Sequence, residues 1–523
     1  MNRAVDTAWH QEESAFVAFA RNVSTRYVAI AVNALVGLIV LPINVRYLGT
    51  SAYGLWMLTA SITAYFSVLE LGYGSAVVKF VAEYRARRDA RALNEILSTL
   101  FTVFTAMGLV VYAVALLIAY LMPIIFNIEP GMVSTGRRIL LIIAANVTLH
   151  FVCAVYGGVV NGFQRYYLNN VIGTASTIAG AVVNVLVLRL GYGLVELVAA
   201  TTAIRMLPYV LYRRNAHAVF PDLRLDPRLF RVSRLREVTG FSAYVAVIDW
   251  ASRLNYAVDT FTIGIFLNTA AVGVYSVGLR LSEALFRMTN QLHTFLFPAI
   301  VHRAVEGRLA DQRQLLVQAT RLQLAIAVPL CGSVVALADV LIRTWVGPGF
   351  EAGYQIARLL AYVVVLRAWM AVPGTLLKGS GRAGFVARVS AVCAVANVLL
   401  SIVLVKLIGL PGVALGTAIP VTAIAVFAIF PAACRTVELP VGDGYRRIVW
   451  PAVWPALVVM PAMAYTRELA PLRLYAVLAQ MAVGALLYAA LFATCALDRD
   501  ERRWFAGKLT ELWHRRAQVL AAA

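Results

Sequence analysis

Apolar runs of roughly 18–25 residues alternate with short polar segments along almost the whole chain. Fourteen such runs are centred within residues 27–45, 55–80, 96–122, 139–160, 168–188, 192–212, 238–266, 272–300, 322–343, 355–377, 384–408, 412–434, 448–466 and 472–497. Each is long enough to cross a bilayer as an α-helix, the form that satisfies its own backbone hydrogen bonds in lipid. The pattern therefore predicts an all-α polytopic membrane protein with about 14 transmembrane helices.

The composition supports a membrane location. Of the 523 residues, 61% are hydrophobic and only 14% are charged, against about 25% charged residues in soluble domains. Of the 46 Lys and Arg residues, 32 fall in alternate connections that include both ends of the chain, 9 fall in the other connections, and 5 fall inside apolar runs. This asymmetry predicts that both termini are cytoplasmic, and it accounts for the net charge of +20 without a nucleic-acid partner.

Two short motifs recur at nearly the same offset. Residues 47–56 match residues 266–275 at an offset of 219, and residues 161–165 match residues 378–382 at an offset of 217. Six predicted helices separate the copies, so both copies have the same membrane orientation and the halves are related by an axis along the membrane normal, with a cavity between them. The predicted domains are two six-helix bundles with two C-terminal helices, namely 1–212 (N-terminal bundle), 213–237 (cytoplasmic basic loop), 238–436 (C-terminal bundle), 437–497 (last two helices) and 498–523 (cytoplasmic amphipathic tail).

Six polar side chains in predicted segment 272–300 follow the spacing of one helical face. They are Ser276, Arg280, Glu283, Arg287, Gln291 and Thr294. A charged side chain at the bilayer centre costs about 2.5–3.5 kcal/mol on insertion scales, so this face lines either a wet cavity or an ion-paired seam between helices. The spacing also lets Glu283 pair with Arg287 while it is shared with Arg280.

Other charged residues lie in three more predicted helices. Segment 238–266 contains Asp249 and Arg253, which are four residues apart and can pair, and Asp259, whose partner is expected on another helix. The two Asp residues are candidates for proton or cation coupling, because a buried carboxylate can change protonation state; the alternative is that they are salt-bridge partners of Arg253. In the first half, Arg26 and Asn33 share a face of the first predicted helix, and Glu70 lies in the second.

Motifs of catalysis are absent from the sequence. It contains no P-loop, HExxH or GxSxG motif, and its five cysteines form no CxxC or CxxH. The sequence therefore predicts a protein that is not an enzyme and that binds no cofactor or metal. Transport would then run on an ion gradient, with proton or sodium as the coupling ion, or on substrate flow.

The first two predicted helices resemble those of a known transporter family. The runs are Tyr47-Leu48-Gly49-Thr50-Ser51-Ala52-Tyr53-Gly54-Leu55-Trp56, Leu69-Glu70-Leu71-Gly72-Tyr73-Gly74 and Val78-Lys79-Phe80-Val81-Ala82-Glu83. They are similar to the N-terminal signature of the Wzx-type polysaccharide flippases of the MATE/MOP exporter superfamily. Helix count, repeat and the long basic loop extend the resemblance over nearly the whole chain. Glu70 stands where relatives commonly carry Asp, which keeps the carboxylate.

The resemblance implies a function and a site. Such a flippase moves an undecaprenyl-pyrophosphate-linked oligosaccharide across the bacterial inner membrane, from the cytoplasmic to the periplasmic leaflet, by alternating access. Its partners would be that lipid-linked substrate, membrane lipids, and polysaccharide polymerase and export proteins. The implied cavity lies on the first, second, seventh and eighth helices, where the candidate substrate-binding residues are Arg26, Asn33, Glu70, Arg253, Arg280, Glu283, Arg287 and Gln291.

Three other functions stay open at the level of sequence. A peptidoglycan-precursor flippase of the same superfamily is compatible with the same charges. A drug/cation antiporter of that superfamily would favour an acidic cavity, whereas five Arg residues lie in the apolar runs here. A membrane polysaccharide polymerase or ligase would be expected to carry a long outside loop, whereas the long loop 213–237 is inside by charge.

Overall fold

The structure is a computed structural model that describes residues 15–66, 73–239, 258–305, 309–468 and 472–496. All the long secondary-structure elements in these ranges are helices. Those of the first half are α1 (Ala15–Phe66), α2 (Tyr73–Ala86), α3 (Ala90–Ile125), α4 (Val133–Gly162), α5 (Tyr166–Arg189) and α6 (Leu194–Val219). Those that follow are α7 (Thr269–Val305), α8 (Leu309–Trp345), α9 (Glu351–Gly379), α10 (Ala383–Ile408), α11 (Leu410–Thr436), α12 (Val441–Tyr465) and α13 (Leu474–Leu491).

The fold class predicted from the sequence is confirmed, although the count of fourteen spans is not. Eleven of the helices in the described ranges are long and apolar enough to cross a membrane. Predicted segment 27–45 and residues 55–66 of predicted segment 55–80 are joined in α1, whereas residues 73–80 belong to α2. Helix α1 bends sharply at Gly49 (φ 74°), a backbone conformation that glycine adopts without steric cost. Predicted segment 272–300 is α7, which carries three charges near its middle, and most of predicted segment 238–266 lies outside the described residues.

Contacts between Cα atoms divide the chain into two compact units. Unit 1 comprises residues 1–277 and 398–413, and unit 2 comprises residues 278–397 and 414–523. Within unit 1, helices α2 and α4 pack closely because small residues let them approach: a Cβ added at Gly158 or Gly162 would strike Val77 or Val81. The predicted bundle boundaries stay a prediction, and the predicted tail 498–523 lies outside the described residues.

Both copies of the second repeat motif form the same turn. After α4, the amide of Arg165 donates to the carbonyl of Val160, and Gln164 occupies the left-handed region (φ 63°). After α9, the amide of Arg382 donates to the carbonyl of Leu377, and Gly381 occupies the left-handed region (φ 78°). This is the Schellman end of a helix, and the donor, the acceptor and the left-handed residue of one copy correspond to those of the other at the offset of 217. The repeat found in the sequence is thus a repeat of backbone conformation.

The first repeat motif makes a contact between its own two copies, inside unit 1. A Cβ added at Gly54 would fall on the carbonyl oxygen of Thr269, and a Cβ added at Gly273 would fall on the carbonyl oxygen of Thr50. Thr50 and Gly54 of one copy correspond to Thr269 and Gly273 of the other at the offset of 219. Each copy thus makes the same contact with its counterpart, and the contact has local two-fold symmetry. Helices α1 and α7 therefore meet at backbone distance through a small-xxx-small motif on each.

The long basic segment after α6 is ordered against α3. Helix α6 continues to Val219, beyond the predicted start of the loop at residue 213. Ser98 then donates to the carbonyl of Arg224 (3.0 Å), and the amide of Arg231 donates to the hydroxyl of Thr99 (3.2 Å). The sequence predicted a loop here, and the polar side chains at the start of α3 hold it in place.

Candidate anion-binding site on helix α7

One face of α7 packs inside unit 2. Leu281, Leu285 and Thr289 are buried on that face. The hydroxyl of Ser282 donates to the carbonyl of Leu360 on α9 (3.4 Å), and the side-chain amide of Gln323 on α8 donates to the carbonyl of Thr289 (2.9 Å). This packing fixes the rotation of α7 within unit 2, and with it the direction of the opposite face.

The opposite face carries a shared ion pair. Nη1 of Arg280 lies 3.1 Å from Oε2 of Glu283, and Nη2 of Arg287 lies 3.3 Å from the same oxygen. The side chains are 46%, 34% and 48% exposed for Arg280, Glu283 and Arg287 respectively. The sharing predicted from the spacing is therefore present, and we call these three residues the local triad.

The local triad is cationic and accessible. Two guanidinium groups and one carboxylate leave a net charge of +1, and each guanidinium carries five N–H donors in a planar fork that suits phosphate and carboxylate oxygens. The contacts of Glu283 with both Arg residues lie within one helix, so they hold no two helices together. Whether this face lines a cavity or an ion-paired seam stays a prediction.

The other residues predicted on this face do not extend the exposed local triad in the described part of the structure. Ser276 is buried (3% exposed), and its hydroxyl donates to the carbonyl of Val272 on its own helix, so it does not extend the exposed charged face. Gln291 lies on α7, and its side chain is outside the described part of the structure. Glu70, Asp249 and Arg253 are also outside the described residues, and their roles stay predictions.

The two candidates of the first helix lie on α1 in unit 1. Arg26 and Asn33 are both exposed. The side-chain amide of Asn33 donates to the carbonyl of Ala29 (2.7 Å) and its oxygen accepts a hydrogen bond from Thr177 on α5 (3.2 Å). Asn33 is therefore oriented by α5, whereas Arg26 stands on the exposed surface of α1.

Asp259 is the buried carboxylate among the described candidates. It is 4% exposed and accepts a hydrogen bond of 2.6 Å from the hydroxyl of Tyr275 on α7, within unit 1. The prediction that its partner lies on another helix agrees with this contact. The role of Asp259 in coupling stays a prediction.

A second shared carboxylate was missed in the sequence. In unit 2, Asp339 on α8 lies 3.6 Å from Nη2 of Arg358 on α9 and 3.0 Å from Nη1 of Arg467, which follows α12. We call these three residues the bridging triad, because each member comes from a different segment. Asp339 and Arg358 flank the Gly347-Pro348-Gly349 turn, a signal that would have found one pair, whereas Arg467 is distant in sequence.

The basic segment after α6 contributes a polar cluster outside the predicted membrane spans. Arg234 lies 3.5 Å from Glu95 and 3.2 Å from Glu237, and it donates to the hydroxyl of Tyr84 (2.8 Å). Burial raises the pKa of Tyr84, and so does the hydrogen bond to Glu237, while the charge of Arg234 lowers it. These contacts explain the order of the segment and do not describe a ligand site.

Comparison of the sequence with known proteins gives a family match and distant relatives. The model of the family described as "Polysaccharide biosynthesis protein" matches residues 19–304, a range that includes the local triad. The chain is 23% identical to "Uncharacterized membrane protein EpsK" of Bacillus subtilis (strain 168) over 363 residues, which are 67% of this chain and 70% of that protein. It is 24% identical to "Probable flippase AglR" of Haloferax volcanii over 210 residues, which are 37% of this chain and 44% of that protein.

Solved structures resemble the whole fold. "Lipid II flippase MurJ, inward closed conformation" has a TM-score of 0.70 at 15% identity, over 90% of this chain and 97% of that chain. An "Inward-facing conformation of a multidrug resistance MATE family transporter of the MOP superfamily" has a TM-score of 0.64 at 14% identity, over 80% of this chain and 98% of that chain. At these identities the likeness concerns the fold, and it agrees with the superfamily indicated by the sequence resemblance.

Proposed function

The chain belongs to the polysaccharide biosynthesis protein family, and on that premise we propose that it is a flippase for a lipid-linked oligosaccharide. The substrate is an undecaprenyl-pyrophosphate-linked oligosaccharide, which moves from the cytoplasmic to the periplasmic leaflet of the bacterial inner membrane. The protein performs no covalent chemistry on it. The "Probable flippase AglR" and the "Probable low-salt glycan biosynthesis flippase Agl15" of Haloferax volcanii are relatives whose names support this class of activity.

The local triad is the observation that carries the proposal. A polar head group that carries a pyrophosphate needs donors and positive charge along its route, because its own hydration is lost there. Arg280 and Arg287 supply both, half exposed on one face of a helix whose other face is packed. Glu283 lies between the two guanidinium groups and lowers the net charge, so that an anion is bound and then released.

Asp259 is proposed as the coupling residue. Its carboxyl group is buried against the hydroxyl of Tyr275, so gain or loss of a proton changes the charge of a site from which water is largely excluded. Asp249 is proposed for the same role on sequence grounds. Alternating access would then depend on the protonation, or cation occupancy, of these carboxylates, while the lipid tail stays in the bilayer.

The experiment is reconstitution in liposomes. Purified protein is inserted into vesicles with an undecaprenyl-pyrophosphate-linked oligosaccharide extracted from the host, and the fraction of the glycan that a membrane-impermeant glycosidase can reach is followed with time. We expect glycan in the inner leaflet to become accessible with the protein and to stay protected without it. A protein that instead transports a cationic dye, and leaves the glycan protected, would be the drug/cation antiporter of the same superfamily.

A deletion strain supplies the matching result in cells. We expect loss of one surface or secreted polysaccharide, with accumulation of its lipid-linked precursor. Growth arrest with accumulation of the peptidoglycan precursor would assign the protein to that substrate and contradict the proposal.

Reporter fusions at Arg224 and Asn268 test the orientation, since Arg224 is expected in the cytoplasm and Asn268 outside. An outside location of Arg224 would favour the polymerase interpretation.

A further inference from the structure

Two facing helices of unit 1 carry the same spacing of polar and aromatic residues. On α4, Asn146, His150 and Cys153 are four and three residues apart, and on α6, Arg205, Tyr209 and Tyr212 are four and three residues apart. Each set therefore lies on one side of its helix. The hydroxyl of Tyr209 donates to Oδ1 of Asn146 (3.1 Å), and the rings of His150 and Tyr209 are 6.1 Å apart, so the two sets face each other.

These faces lie away from an exposed apolar side of α6. Leu207, Val210 and Leu211 are strongly exposed on that side, and Leu207 and Leu211 lie opposite Tyr209 on the helix. On α4, the opposite side packs on α3, where the hydroxyl of Thr148 donates to the carbonyl of Gly108 (3.0 Å). His150 and Arg205 are nevertheless exposed. Because polar side chains turned to lipid would carry a large desolvation cost, we expect them to face a water-accessible space inside unit 1.

The aromatic side chains are held in place around this space. Tyr209 is oriented by its hydrogen bond to Asn146, and its ring lies 6.4 Å from the ring of Tyr212. Tyr212 reaches toward α5, where a Cβ added at Gly173 would be 3.9 Å from its hydroxyl. The hydroxyl of Tyr212 thus lies at ordinary contact distance from α5. A preorganised wall of this kind binds a ligand at a lower entropic cost than mobile side chains do.

We infer that Asn146, His150, Arg205, Tyr209 and Tyr212 form a carbohydrate-binding surface, which takes the oligosaccharide part of the substrate. A pyranose has one apolar C–H face, which packs on an aromatic ring, and a rim of hydroxyls, which need both donors and acceptors. Tyr rings supply the first, and amide, imidazole and guanidinium groups supply the second. The local triad supplies charge instead, so the two sites differ in the chemical groups that they recognise. This inference rests on the proposed function.

The test compares two lipids that differ by the sugar. Binding of undecaprenyl pyrophosphate and of undecaprenyl-pyrophosphate-linked oligosaccharide extracted from the host is measured on the full-length protein in nanodiscs. We expect Tyr209→Leu to weaken binding of the oligosaccharide-bearing lipid roughly tenfold and to leave binding of undecaprenyl pyrophosphate within about twofold of the wild type. Tyr209→Phe keeps the ring and should lose less. Tyr120→Leu removes a ring from a strongly exposed position on α3 and serves as the matched control.

Each outcome decides the inference. An equal loss for both lipids would overturn it, because the ring would then act on the pyrophosphate or on the fold. If Tyr209→Leu is made at normal abundance and binds both lipids as the wild type does, the inference is overturned, whereas the proposed function stands. If the wild type binds neither lipid, the proposed function fails and the carbohydrate surface fails with it. Should Tyr209→Leu not fold, His150→Ala is measured in the same way, with the same expected selectivity for the sugar-bearing lipid.

Discussion

The local triad and the bridging triad have the same composition and different architecture. Each shares one carboxylate between two Arg residues, at distances of 3.1 and 3.3 Å for Glu283 and 3.6 and 3.0 Å for Asp339. The local triad lies on the exposed face of one helix, whereas the bridging triad joins α8, α9 and the segment after α12. Asp339 is also less exposed (25%) than Glu283 (34%).

We expect the difference to separate charge that binds a ligand from charge that holds helices together. A pair four residues apart on a helix surface stabilises that helix by about 0.3–0.5 kcal/mol and ties it to nothing else. A carboxylate that joins three segments loses contacts in all of them when it is removed, and it leaves two positive charges facing each other. We therefore expect changes in the local triad to alter transport, and changes in the bridging triad to alter stability.

The largest expected effect is that of Arg287→Ala. Loss of charge-assisted hydrogen bonds to an anionic head group should lower polysaccharide export roughly tenfold to a hundredfold. Protein abundance should stay near the wild-type level. Arg287→Lys keeps the charge without the planar fork and should recover part of the activity. Export and abundance are measured together in the deletion strain. Full export by Arg287→Ala at normal abundance would remove the cationic site from the mechanism.

In the bridging triad, we expect Asp339→Asn to lower stability and to leave transport unchanged. This change keeps the shape of the side chain and removes the charge that Arg358 and Arg467 share. We expect the free energy of unfolding to fall by about 1–2 kcal/mol, measured by thermal unfolding in detergent. Export per folded molecule should be unchanged. A loss of export at normal stability would mean that this cluster takes part in transport.

A smaller effect is expected from Glu283→Gln. The change removes the negative charge between Arg280 and Arg287, so binding of undecaprenyl pyrophosphate should tighten by up to about fivefold, which corresponds to 1 kcal/mol. Stability should change little. Tighter binding with slower export would agree with a role of Glu283 in release. If the fold collapsed in this variant, and Arg287→Ala in the same chain restored both abundance and transport, the local triad would be a structural seam.

The smallest effect concerns coupling energies. Double-mutant cycles should give about 0.3–0.5 kcal/mol between Glu283 and Arg287 and about 1 kcal/mol between Asp339 and Arg467. Thermal or denaturant unfolding of the four variants of each cycle supplies the values. Equal coupling energies would erase the distinction between the two triads.

The sequence predicted the local triad and missed the bridging triad for a physical reason. Helical spacing places Arg280, Glu283 and Arg287 on one face whatever the tertiary structure, so a local pattern is sufficient. Asp339 and Arg467 are brought together by packing of helices that are far apart in sequence, and no period in the chain reports it. The same limit explains why Ser276, which fits the spacing, is buried: the helix is covered there by neighbours that the pattern does not contain.

The repeat shows how much a short motif can predict. The match of residues 161–165 with 378–382 led to equivalent turns, because the end of a helix depends on a few backbone bonds. The match of residues 47–56 with 266–275 indicated a symmetric pair, but not that its two copies touch each other. The contacts around Tyr209 were not predicted either, because they join residues of α4 and α6 that are far apart in sequence.

The contact of Gly54 with Gly273 makes substitutions at these two distant positions depend on each other. A carbonyl group of the other copy occupies the space where each glycine would carry a side chain. Neither Gly54 nor Gly273 can therefore gain a methyl group unless the facing helix moves away. Such reciprocity is characteristic of a homodimer interface, where one sequence must fit itself. Here both copies belong to one chain, so the space at each glycine depends on the backbone of the other copy.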